Sequence, residues 1–139
     1  MKLNNWMKAF LIIACLTLSI VGFMIKLPAA FRHMDKELHA LFYFLAAALL
    51  NVLFAGGKLI WHVIIFIALF LFGMAIEYGQ DYSNRFFHRR IHGRFDPEDV
   101  QANLKGLIAF SLLWVLYTGI VLAYRKATSK NKLYQSKLS

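Results

Sequence analysis

The chain has 139 residues, 60% of them hydrophobic and 17% charged, with a mean hydropathy of +0.55. A water-soluble domain of this size has too little interior to hide that share of apolar side chains. The formal charge of +9 invites a nucleic-acid reading, but no stacking aromatics beyond Tyr134 interleave with the basic tail, so no nucleic-acid partner is expected.

Four stretches are apolar enough for a membrane-crossing helix, which needs about 20 residues. They run over about 7–25, 38–54, 59–77 and 102–124. Their interiors avoid Asp and Lys, which cost roughly 3 kcal/mol each at mid-membrane, and Lys105 lies near the edge of the fourth. The expected fold is an all-α membrane protein, a bundle of four transmembrane helices over 1–125 with a basic tail over 126–139. The first stretch continues without a break after Cys15. It therefore reads as a span and neither as a lipoprotein processing site nor as a cleaved signal, whose apolar part is only roughly 7–15 residues. A single cysteine allows no intramolecular disulfide.

Leu27-Pro28 ends the first span, because proline cannot continue a helix. Ala55-Gly56-Gly57-Lys58 is short enough to force spans two and three into an antiparallel hairpin. The third connection, about 81–98, is long, basic and aromatic, and loops of that length in a small protein are usually functional or mobile. Five basic residues follow the fourth span (Arg125, Lys126, Lys130, Lys132 and Lys137), a pattern that holds a terminus in the cytoplasm beside anionic lipid. The remaining Lys and Arg divide the total eight against eight between the two sides, which leaves orientation undecided by that count. All seven acidic residues, in contrast, belong to the face of the first and third connections. Both termini are expected in the cytoplasm.

Topology brings the start of span two, the end of span three and the start of span four to one interface. Asp35, His39 and Tyr43 recur every fourth residue and so share a helix face, as do Gly73, Glu77 and Gln80, and Asp99, Asn103 and Gly106. Gly73 and Gly106 would let backbones approach closely. Ionisable residues within a span are functional candidates, and Glu77, His39 and Asn103 lie deepest. Blander roles compete. Asp96-Pro97-Glu98-Asp99 reads as a helix start with Asp96 as N-cap, and Asp99 reads both as first-turn acid and as part of the polar face. Glu77 is also placed to pair with Arg94 and anchor the third connection, and His39 to bond a backbone carbonyl. Tyr43, Trp61 and Trp114 read as packing or interfacial residues, and His62, beside the short turn, as inert.

His88 and His92 have the spacing of metal ligands on one helix face, but Arg89 and Arg90 between them oppose a cation, and the Glu of zinc proteases is absent. No metal and no cofactor is expected. The same arginines, with Arg85 and Arg94, suit a phosphate-bearing anion. There is no nucleophile elbow, phosphate loop or dinucleotide fingerprint.

These motifs in this order resemble the VanZ-like family of bacterial membrane proteins. The resemblance rests on Asp35-Lys36 with His39 and Tyr43, then Glu77 and Gln80, then Gly93-Arg94-Phe95-Asp96 with Asp99, Asn103 and Gly106. It implies a role at the outer face of the cytoplasmic membrane, near cell-envelope lipid or glycopeptide antibiotic, possessing a link to teicoplanin resistance but no settled reaction. The basic, aromatic run 85–92 departs from the usual family pattern. Three classes of function follow. As a binding protein, the chain would recognise a polar head group through Asp35, Lys36, Tyr43, Gln80, Arg89, Arg90, Arg94, Asp96 and Asn103. As a membrane enzyme on a lipid-linked or cell-wall substrate, it would use Glu77 or Asp99 as general acid or base, His39 as proton carrier and Arg94 to stabilise negative charge. As a structural subunit of a membrane complex, it would use its helix surfaces.

Overall fold

A computed structural model describes residues 4–24, 34–87 and 95–138, with side chains over 4–22, 34–87 and 95–129. Four helices account for nearly all of them: α1 (Asn5–Met24), α2 (Asp35–Leu50), α3 (Leu59–Phe86) and α4 (Pro97–Leu138). A five-residue π-helical segment, Asn51–Ala55, extends α2 to the hairpin. Each helix is long and apolar enough to cross a membrane, and leucine, isoleucine, valine and aromatic side chains cover the outer surface of the bundle. The chain is an all-α, multi-pass membrane protein.

The principal packing is α2 against α4, which run parallel. Their pairings keep step along both helices: His39 with Asn103, and Phe44 with Phe110, whose rings meet edge to face at 5.7 Å. Gly106 makes the close approach possible. A Cβ at that position would land on the carbonyl oxygen of Ala40, so only glycine fits there. Helix α3 returns antiparallel to both after Gly56 and Gly57, whose φ values of 52° and 79° give the turn a left-handed backbone that glycine adopts without strain. Tyr43, Ala46, Ala47, Ala55, Ile65, Leu69 and Leu107 form the packed centre. Helix α1 touches the edge of α2 and α3, where Lys8 Nζ donates to the Leu53 carbonyl at 3.2 Å and lies 5.4 Å from the Phe54 ring centre.

Two element boundaries differ from the sequence expectation. Helix α3 continues to Phe86, so the third connection starts after residue 86 and not at Asp81. The polar residues that suggested a loop are accommodated on the helix: Arg85 pairs with Asp81 one turn earlier at 2.6 Å, and Ser83 Oγ donates to the Gln80 carbonyl at 2.9 Å. Helix α4 likewise continues through the basic tail to Leu138. At 1.5 Å per residue, its 42 residues extend about 60 Å, roughly twice the hydrocarbon thickness.

Candidate functional site

The three faces predicted from spacing all turn inward and meet at the end of the bundle where α2 and α4 begin and α3 ends. His39, Tyr43, Glu77, Gln80, Asp99 and Asn103 are all buried there. The two glycines serve these polar groups. Gly106 draws α4 onto α2, and the space a Cβ at Gly73 would fill lies 2.9 Å from both Asn103 Nδ2 and the Tyr43 hydroxyl. Small residues therefore set the depth at which the polar side chains converge.

His39 Nδ1 donates to Asn103 Oδ1 at 2.9 Å, bridging α2 and α4. One competing reading has His39 bond a backbone carbonyl; here Nδ1 bonds a side-chain amide. The other ring nitrogen, Nε2, lies 4.0 Å from Asp35 Oδ1 one turn earlier. Asp35, His39 and Asp99 together present one donor atom each within 4.8 Å of one another.

Lys36 is the ammonium around which the acids gather. Its Nζ is 2.6 Å from Glu98 Oε2, 3.4 Å from Asp96 Oδ2 and 3.6 Å from Asp99 Oδ1. Asp96 caps α4: its Oδ1 accepts from the Glu98 N–H at 2.9 Å, and its carbonyl accepts from Asp99 N–H at 3.1 Å. Its remaining oxygen reaches Lys36, so the cap is also tied to α2. Glu77 is 1% exposed. Its Oε2 accepts from the Asp96 N–H at 3.2 Å, which fastens the end of α3 to the cap of α4. Its Oε1 has no hydrogen-bond partner among the described residues, and the same holds for Asp99 Oδ1. Buried carboxylate oxygens without donors cost free energy, about 1–3 kcal/mol for an unsatisfied polar group and more when charged. Two in one place call for an explanation.

Arg89, Arg90 and Arg94, and with them the expected pairing of Arg94 with Glu77 and the anion reading of the basic run, lie outside the described residues. So do His88 and His92. Of the other expected site residues, Asp35, Lys36, His39, Tyr43, Glu77, Gln80, Asp96, Asp99 and Asn103 all belong to this one end of the bundle.

A second polar pair, near the hairpin, was not anticipated. His62 is buried, and its Nδ1 donates to Asn51 Oδ1 at 2.9 Å. Asn51 Nδ2 in turn donates to the Ala47 carbonyl at 2.8 Å. The imidazole stacks on Trp114 with ring centres 4.2 Å apart and planes 4° from parallel. The hairpin itself held the signal: Asn51 lies five residues before Gly56, and His62 five after Gly57. An antiparallel return about that turn sets the two side by side.

Comparison of the chain with family profiles, with curated proteins and with solved structures found no match.

Proposed function

We propose that this is a VanZ-like integral membrane protein of the bacterial cytoplasmic membrane, with both termini in the cytoplasm and the carboxylate end of the bundle at the outer face. There it engages the polar head of an envelope lipid, or changes how a glycopeptide such as teicoplanin reaches that lipid. The observation that carries this reading is the pair of buried carboxylate oxygens, Glu77 Oε1 and Asp99 Oδ1, with no hydrogen-bond donor among the described residues. A purely structural polar cluster would neutralise and saturate its own members. An end that keeps acceptors in reserve is suited to receive hydroxyl or amide donors, which sugar and peptide head groups carry in abundance. The basic α4 extension, at the end opposite the acidic residues, supports the orientation.

The test compares cells carrying the wild-type protein with cells carrying Glu77→Gln at equal membrane abundance. Wild type should alter teicoplanin sensitivity, and Glu77→Gln should abolish the effect. Equal sensitivity in the two would overturn the reading. Cysteine labelling after Cys15→Ala tests orientation: an externally reactive probe in the tail reverses it.

An enzymatic reading is favoured by one arrangement. Asn103 orients the His39 imidazole beside Asp35 and Asp99, as a positioned proton carrier requires. Lipid extracts separate the two. A modified envelope lipid that appears with wild type and vanishes with Glu77→Gln identifies catalysis, and an unchanged lipid profile identifies binding.

A further inference from the structure

We propose that Asp35, His39 and Asp99 form a divalent-cation site where α2 and α4 begin. The sequence reading expects no metal, because it weighed only His88 and His92. The fold assembles a different set, with one donor atom from each of these three residues within 4.8 Å of the others. Bonds of about 2.1 Å place the donors around one ion about 3–4 Å apart. The Asp35 side chain is 40% exposed and so has room to turn towards an ion.

Three further observations point to a cation. First, His39 is held in the manner of a metal-ligating imidazole: Nδ1–H is fixed by the Asn103 carbonyl oxygen at 2.9 Å, and Nε2 is the nitrogen turned towards Asp35. Second, Asp99 Oδ1 is buried and has no hydrogen-bond partner among the described residues. Third, five carboxylates (Asp35, Glu77, Asp96, Glu98 and Asp99) lie close together here, and Lys36 pairs with three of them. The N-termini of α2 and α4 each add roughly half a positive charge, which still leaves this group of five carboxylates and one ammonium short of positive charge. The Lys36 ammonium, 3.6 Å from Asp99 Oδ1, sits beyond hydrogen-bond distance of that oxygen and keeps Glu98 and Asp96 when an ion takes Asp99. Two carboxylates with one imidazole suit Mn²⁺ or Zn²⁺ better than Mg²⁺ or Ca²⁺, which take oxygen ligands.

The site shares Asp99 with the head-group reading but does not depend on it, and its test uses the metal alone. Full-length protein in detergent is titrated with Mn²⁺, followed by the loss of the free-ion electron-spin signal, and separately with Zn²⁺ by calorimetry. One equivalent of at least one ion should bind. Asp35→Asn, which alters a half-exposed residue and leaves the packed interface alone, should weaken binding by about tenfold or more, as should Asp99→Asn. Lys36→Met should tighten it, since it removes a competing charge. No binding of either ion by wild type overturns the site, as does binding that Asp35→Asn and Asp99→Asn leave unchanged. Equal teicoplanin sensitivity of wild type and Glu77→Gln, with metal binding intact, would count against the head-group reading only.

Discussion

Two histidine–asparagine pairs hold opposite ends of this bundle with the same bond, Nδ1 to Oδ1 at 2.9 Å, and they have little else in common. His62–Asn51 joins neighbours across a tight hairpin, passes its remaining donor to a backbone carbonyl and stacks flat on Trp114. His62 Nδ1, Asn51 Oδ1 and Asn51 Nδ2 all find partners within the fold, and no acidic residue of the chain lies at that end. His39–Asn103 joins residues 64 apart in sequence and is surrounded by carboxylates, two of which keep a buried oxygen without a donor among the described residues. The lesson is that burial and a hydrogen bond do not distinguish a structural histidine from a chemical one. The acceptors left over around it do.

The largest expected effect breaks one end and spares the other. Gly106→Ala puts a methyl group into the Ala40 carbonyl, and a backbone atom cannot rotate away as a side-chain tip can. Thermal unfolding in detergent should show a loss of about 3 kcal/mol, the upper part of the range for overpacking. Hydrogen exchange should quicken first around His39 and Asn103 and later around His62. Gly79, with nothing within 4 Å of its would-be Cβ, is the control. Gly79→Ala should leave stability unchanged or raise it by up to about 1 kcal/mol.

A smaller effect has the opposite sign. Glu77→Gln keeps an acceptor for the Asp96 N–H and removes a buried charge whose second oxygen has no donor among the described residues. The variant should be more stable than wild type by about 1–2 kcal/mol, within the penalty for an unsatisfied buried group, while any effect on teicoplanin sensitivity disappears. A site that gains stability when it loses function is under functional constraint. A loss of stability in Glu77→Gln would instead make this carboxylate a structural partner and remove the contrast between the two ends.

Much of the carboxylate end was legible in the sequence, because two simple rules place it. Four-residue spacing puts Asp35, His39 and Tyr43 on one face, and the short Gly56-Gly57 turn fixes the antiparallel return that carries Glu77 to the same end. The Asp96 cap was legible from Asp-Pro-Glu-Asp alone. What spacing cannot supply is the lateral register of α2 on α4. That register is set by Gly106 lying against Ala40, and it decides that His39 meets Asn103 and that Asp35 and Asp99 share a space. The end of α3 was misplaced for a different reason: polarity from Asp81 onward resembles a loop, whereas the Arg85–Asp81 pair lets the same residues continue a helix beyond the apolar span. Asn51–His62 was legible in principle from its equal spacing about the turn, but one asparagine in an apolar run gives no hint of its partner until the hairpin register is applied.

The finest test asks whether the two pairs differ energetically as their surroundings say. Double-mutant cycles on His62→Phe with Asn51→Leu, and on His39→Phe with Asn103→Leu, isolate each coupling. Hydrogen bonds measured this way in membrane helices average about 0.6 kcal/mol and reach about 1.7. The His62–Asn51 coupling should fall near the average and ignore added salt, because its neighbours are Trp114 and a backbone carbonyl. The His39–Asn103 coupling should lie towards the upper value and shrink as salt is added, because Asn103 orients an imidazole whose other nitrogen faces Asp35, a partly exposed carboxylate open to screening. Equal, salt-independent couplings would mean that the carboxylates do not act on His39, and would reduce both pairs to the same structural role.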